Sequence, residues 1–148
     1  MLKVAVGSDD TYPVASFISR YLKSKGFKVI ELGSLEKGVP VPWPSVGFEV
    51  GEYVARGDAL FGVVICYTGT GVSIAANKVK GVRAALCVDA QTARGARLWN
   101  NANVLAISAR LTSEELAKEI IDSWLSVTEP DPSELGNIKM IEVRESKT

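Results

Sequence analysis

The chain contains no histidine. Any acid–base or metal chemistry must therefore proceed without imidazole, the side chain whose ordinary pKa lies nearest neutrality. Cysteine is nearly absent too. Cys66 and Cys87 are the whole supply, too few for a disulfide framework, and two thiols without imidazole do not make an ordinary zinc site. Free thiols in so small a number predict a cytoplasmic protein. There is no excess of either charge: 17 Lys and Arg face 17 Asp and Glu. That balance excludes the basic surface on which non-specific nucleic-acid binding depends, while leaving room for one local pocket for a small anion. No apolar run approaches the roughly 18 residues that span a bilayer, so no membrane partner is expected. Met1–Gly7 reads as a short strand and lacks the apolar core and cleavage site of a signal peptide. No cofactor motif and no metal-ligand spacing is present.

What remains is a chain of 148 residues, 47% hydrophobic, sized for one domain with a real core. Apolar, β-branched runs at Leu2–Val6, Lys28–Leu32, Ala59–Ile65, Val82–Cys87 and Asn103–Ile107 predict strands. Helical spacing fills the gaps. Pro13–Lys25 carries Val14, Phe17, Ile18 and Leu22 on one face, and Ser45–Arg56 carries Val46, Val50 and Val54. A short helix is expected over Val72–Val79, and another from an Asp89 N-cap to Asn100. The last is expected from Thr112 to Trp124, with Thr112 and Glu115 spaced as a capping box. Gly33–Pro44 reads as a loop. The alternation predicts an α/β domain: a three-layer, Rossmann-like doubly wound five-stranded parallel sheet, strand order 2-1-3-4-5. It should occupy residues 1–126. Residues 127–148 form a Pro-broken tail with apolar Ile138–Val143, expected to pack on its own domain or on a partner subunit.

The chemistry concentrates in Ile65-Cys66-Tyr67-Thr68-Gly69-Thr70-Gly71-Val72-Ser73-Ile74-Ala75-Ala76-Asn77-Lys78. This stretch begins where a buried strand ends and stops inside a helix. In open parallel sheets, ligands bind at the carboxyl ends of strands. Gly69 and Gly71 let the backbone approach a ligand, and a thiol at such a strand end is a usable base or nucleophile. A cysteine alone would more often be a core residue. The glycine loop that follows it reverses that preference.

Ile65–Lys78 closely resembles the cysteine, threonine and glycine signature of type B ribose-5-phosphate isomerases and their galactose-6-phosphate isomerase relatives. Gly7-Ser8-Asp9, Gly81–Cys87, Asn100–Arg110 and Glu115–Trp124 are similar to other parts of that family, so the likeness spans most of Met1–Trp124. The resemblance implies an aldose–ketose isomerase without a cofactor. In it Cys66 moves the proton between two carbons, and Thr68 with the amides of Gly69, Thr70 and Gly71 holds the ene-diolate. Asp9 would bind hydroxyls and shuttle a proton between oxygens. Ser73 belongs to the same signature, Asn77 and Asn100 would fix loop and substrate, and Arg110 would meet a phosphate. The plainer alternatives stay open: Asn77 tying down backbone, Asp9 capping a helix. The resemblance also implies a homodimer or homotetramer whose C-terminal residues reach the partner's site.

The departures concern the histidines. A phosphate-site histidine is replaced by Asp10, and a ring-opening one by Trp99 in Trp99-Asn100-Asn101. An Asp-Tyr-Pro motif appears as Pro42-Trp43-Pro44, Tyr67 replaces a glycine, and a C-terminal Gly-Gly-Arg-His is missing from Ser133–Lys139. An acid at position 10 would repel a dianion unless Arg110 or Lys139 compensated. Losing the ring-opening group is harmless for a substrate that is already open-chain, such as a tetrose phosphate or a keto-uronate. Trp43, Tyr67 and Trp99 would then offer apolar walls, or serve only as core aromatics. Two other readings compete: a non-catalytic sugar-binding paralogue or silent subunit, and a nucleotide-binding domain. Thr68–Gly71 lacks the G-x-G-x-x-G spacing for the last.

Overall fold

The computed structural model describes residues 1–148. Five parallel strands, β1 (Lys3–Ser8), β2 (Lys28–Gly33), β3 (Gly62–Cys66), β4 (Ala84–Leu86) and β5 (Val104–Ser108), form one sheet. The helices are α1 (Pro13–Ser24), α2 (Ser34–Lys37), α3 (Trp43–Ala55), α4 (Thr70–Ala76), α5 (Ala90–Asn100), α6 (Glu114–Leu125) and α7 (Leu135–Glu145).

Side chains alternate across a strand with period two, and here that alternation sorts the core into two layers. Val4, Val6, Val63, Ile65, Leu105 and Ile107 pack against α1, α5 and α6. Ala5, Val64, Cys66, Val104 and Ala106 point the other way, onto α3 and α4. Every residue of β3 and β5 is buried, as expected for strands covered on both faces.

The fold class is as expected, but the sheet runs β2-β1-β3-β5-β4, not 2-1-3-4-5. Burial explains the exchange. β5 is fully buried and apolar up to its last residue, Ser108, so it takes the interior place beside β3, whereas three-residue β4 is only half-buried and forms the edge. Smaller corrections have local causes. The Gly33–Pro44 loop contains the single turn α2, closed by Gly38 in the left-handed conformation. The cap of α6 is Ser113, whose hydroxyl accepts from the Leu116 amide, not Thr112. Residue 112 is instead buried against the end of β5, its amide donating to the Ser108 carbonyl at 3.1 Å. The apolar tail segment is helical: a 3-10 turn (Pro132–Glu134) leads into α7. Ile138 is buried, while Leu135, Met140, Ile141 and Val143 stay exposed. The Asp131 amide donates to the Leu98 carbonyl at 2.8 Å, tying the tail's start to α5.

The approach of α3 to α4 positions the site. At Gly47, an added Cβ would stand 2.6 Å from Ala75 Cβ and 2.9 Å from the Val72 carbonyl oxygen. Only a missing side chain lets the two helices meet so closely. That contact brings Trp43, at the start of α3, over the loop after β3.

Candidate active site

Parallel pairing in register brings the carboxyl ends of β1, β3 and β5 together. Ser8 pairs with Ile65, and Cys66 with Ser108. Beyond the strands the Asp9 amide donates to the Ile65 carbonyl at 3.2 Å, the Ala109 amide to Cys66 at 3.0 Å, and the Arg110 amide to Tyr67 at 2.9 Å. Ser108 Oγ also donates to the Tyr67 carbonyl at 3.2 Å. The end of β3 is thereby held from β1, and the turn after Cys66 from the end of β5.

Gly69 caps α4 with φ of 78°, a conformation that glycine adopts without strain. A Cβ there would also lie 2.9 Å from the Ile107 carbonyl carbon. The turn folds back on the thiol: the Gly69 amide donates to Cys66 Sγ at 3.2 Å. The Thr68 and Thr70 hydroxyls share a hydrogen bond of 2.7 Å. The Trp43 ring lies over Gly71, where an added Cβ would meet it at 2.8 Å.

These residues enclose an open cavity of about 260 Å³ lined by Asp9, Trp43, Cys66, Tyr67, Thr68, Thr70 and Gly71. The other residues singled out in the sequence lie elsewhere within one chain. Asp10 accepts from the Thr11 amide at 2.7 Å, and its carbonyl is pinned by the hydroxyls of Ser8 and Ser34. Ser73 is half-buried on α4. Asn77 exchanges two hydrogen bonds with the Ala84 backbone, at 3.0 and 2.8 Å, and so ties α4 to β4. Arg110 is exposed. Trp99 and Asn100 line a separate cavity of about 540 Å³ between α5 and β4.

The electrostatics distinguish the candidate groups. Burial lifts the Asp9 carboxyl above its ordinary range, opposed by the Tyr12 hydroxyl and aided by the charge of Asp10. Asp9 Oδ1 is buried without a hydrogen-bond partner. Tyr12 is a residue that sequence reading passed over. Burial, then Asp9, Asp10 and Cys66, hold its phenol protonated. Its position three residues after Asp9, just before the proline that opens α1, is the one signal that could have marked it. Cys87 lies outside the cavity that Cys66 lines. Its thiol is fully buried and pushed up to about 12, by burial first and then by Asp89, so it stays protonated and unreactive. No cluster of acid and thiol groups is arranged to hold a metal ion.

The raised Asp9 value carries a stability consequence. Ionising an acid whose folded-state pKa is raised costs stability. That cost is absent below the ordinary carboxyl range near about pH 4 and complete above the folded-state pKa. Asp9→Asn is therefore expected to raise Tm at about pH 7 and leave it unchanged at about pH 3. Thermal unfolding at the two pH values checks this; a lower Tm for the variant at neutral pH would contradict it.

A family model described as ribose/galactose isomerase matches residues 4–141. The galactose-6-phosphate isomerase subunit LacB of Clostridium acetobutylicum is 46% identical over 82% of this chain and 70% of its own length. The D-erythrulose-4-phosphate isomerase of Pectobacterium atrosepticum is 40% identical over 84% of this chain and 83% of its own. Among solved structures, ribose-5-phosphate isomerase B of Clostridium thermocellum superimposes with a TM-score of 0.90 at 37% identity, covering 99% of both chains. The Mycoplasma genitalium enzyme with bound ribulose-5-phosphate gives 0.89 at 35% identity over 99% of this chain and 98% of that one. The chain belongs to the ribose/galactose isomerase family and is an isomerase.

Proposed function

We propose that this isomerase interconverts an aldose and a ketose through an ene-diolate, with Cys66 as the base at carbon, and that its preferred substrate is a short, open-chain sugar phosphate. The observation that carries the reading is the shared cavity, in which a thiol and a carboxyl of raised pKa face the same space. Ketol isomerisation needs two kinds of proton movement, one between adjacent carbons and one between their oxygens. Cys66 takes the proton from the carbon beside the carbonyl and returns it to the neighbouring carbon. Asp9 gives a proton to one oxygen and accepts one from the other; a carboxyl whose pKa burial has raised is better suited to both than an ordinary one. The Thr68 hydroxyl and the amides of Thr70 and Gly71 meet the oxyanion. Trp43 and Tyr67 form the apolar walls.

The missing imidazole supports the substrate class. Two relatives, from Pectobacterium atrosepticum and Mycolicibacterium smegmatis, are named for D-erythrulose-4-phosphate and are 40% and 41% identical to this chain. A tetrulose whose last hydroxyl is phosphorylated cannot close a five-membered ring, so it needs no ring-opening group. Without histidine, ring opening would fall to a carboxylate, a hydroxyl or water, each poorly matched to neutral pH.

We further infer that the working site joins two copies of the chain. Trp99, Asn100 and Arg110 lie outside the Cys66 cavity of their own chain, and the outer face of α7 leaves Met140, Ile141 and Val143 exposed. In that assembly Asn100 of one copy faces the Cys66 cavity of the other. One observation favours a second reading, that of a silent subunit: the relative at 46% identity is itself named as a subunit. Retention of Cys66, Thr68, Gly69 and Gly71 favours the active one.

Two measurements test these statements. The specificity constant for erythrulose 4-phosphate should exceed that for ribose 5-phosphate by at least about ten-fold, or about 1.4 kcal/mol in the barrier. A ten-fold preference for ribose 5-phosphate would contradict the reading of the absent histidine. Separately, Cys66→Ala and Asn100→Ala chains, each inactive alone, should regain activity when unfolded together and refolded as a mixture, because hybrid dimers hold one intact shared site. No recovery, or an active monomer by light scattering, would rule out a site shared between copies.

A further inference from the structure

We propose that Tyr67 sets the length of sugar phosphate that the Cys66 cavity accepts: its ring fills the space into which a chain longer than four carbons would have to bulge. The inference rests on the reading of Cys66 as the base at carbon and of a sugar phosphate as the substrate, and names the residue that excludes the longer chain.

Charge fixes where the two ends of such a substrate lie. The reacting carbon must stand at Cys66. The cavity around that thiol holds a carboxyl, Asp9, and no lysine or arginine lines it. A phosphate is repelled from such a wall and is held by a cation outside it. Arg110 is the cation joined to the rim. Its amide donates to the Tyr67 carbonyl at 2.9 Å, and its side chain is exposed and in none of the chain's five ion pairs. Tyr67 is thus the covalent neighbour of the thiol and the hydrogen-bonded neighbour of the arginine, so a substrate that reaches from one to the other passes it.

The backbone at both ends of that span is fixed. The Cys66 carbonyl accepts from the Ala109 amide at 3.0 Å, and the Tyr67 carbonyl accepts from Ser108 Oγ at 3.2 Å as well as from Arg110. An extra hydroxymethylene between two anchored ends cannot lengthen the span and must buckle sideways. The space for buckling is small. The cavity measures about 260 Å³, below the roughly 300–1,000 Å³ of drug-sized sites, and the Trp43 ring is already closed against Gly71. Tyr67 lines the rest of it with a side chain that is 60% exposed and stacks on no other aromatic ring. Its bulk packs no core; it occupies the mouth of the site. In a confined pocket one methylene changes recognition by about 10–200-fold.

The test separates chain length from ring closure. Erythritol 4-phosphate and ribitol 5-phosphate carry no carbonyl, so neither can close a ring, and they differ by one hydroxymethylene. Their affinities are measured by isothermal titration calorimetry on the full chain in its native assembly. The parent should bind erythritol 4-phosphate at least about ten-fold more tightly than ribitol 5-phosphate. Tyr67→Ala should bring the two within about three-fold by tightening ribitol 5-phosphate, whereas Tyr67→Phe, which keeps the ring, should hold the parent's preference. Tyr67 is not among the residues of positive φ, so alanine fits its backbone. Equal affinities in the parent, an unchanged preference in Tyr67→Ala, or loss of the preference in Tyr67→Phe would each overturn the role of Tyr67. A parent that turns over erythrulose 4-phosphate best and yet binds both alditol phosphates equally would keep the proposed substrate and remove Tyr67 as its cause. No binding of either probe at about 10 mM would overturn the proposal together with the sugar-phosphate reading beneath it.

Discussion

The site depends on the parallel, in-register pairing of β1 with β3. Because Ser8 stands beside Ile65 and the Asp9 amide donates to the Ile65 carbonyl, the residue after β1 and the residue ending β3 reach the same cavity. The pairing persists because both strands lie inside the sheet and are covered on both faces. Val4 and Val6 face one helical layer and Ala5 the other, and the same alternation along β3 turns Cys66 toward α3 and α4. A one-residue slip would send every side chain to the opposite face, carrying the thiol away from Trp43 and the Gly69 turn.

Position then determines chemistry. The two thiols of the chain are alike in kind and both buried, yet they differ in what surrounds them. Cys66 receives the Gly69 amide and borders an open cavity. Cys87 has only the Ala85 carbonyl at 3.6 Å as a partner, and burial keeps it protonated. Asp9 is held at the opposite wall with an unpartnered oxygen and a raised pKa. Such an arrangement lowers stability at neutral pH, the usual relation between a poised acid and the fold that carries it. Tyr12, kept neutral beside two carboxyls, supplies a hydroxyl near a site that has no imidazole.

Much of this was legible in the sequence, for identifiable reasons. β3 reads as a continuous apolar run followed by a cysteine and two glycines, so both the buried strand and the cavity-lining loop could be recognised before any coordinates. The Asp89 cap was legible because its side chain bonds locally, to the Thr92 amide. The exchange of β4 and β5 was not, because strand order is set by which strand is more completely buried, a tertiary property. The tail's apolar residues were visible, but their helical form depends on Ile138 docking while its neighbours stay exposed. Trp99 and Asn100 share sequence features with the site and yet line another cavity, since likeness along a chain does not say which cavity a side chain will border.

The central claim is a division of labour: Cys66 moves the carbon-bound proton and Asp9 the oxygen-bound one. Solvent deuterium separates the two steps. With an isomerisable sugar phosphate in deuterated water, followed by proton NMR, the parent enzyme should wash deuterium into the carbon beside the carbonyl as it turns over. Cys66→Ala should lose both turnover and exchange. Asp9→Asn should lose turnover by about 10²–10⁴-fold, the usual contribution of a positioned acid–base group, while still exchanging the carbon-bound proton. Undiminished exchange in Cys66→Ala would contradict the account and place the carbon base elsewhere.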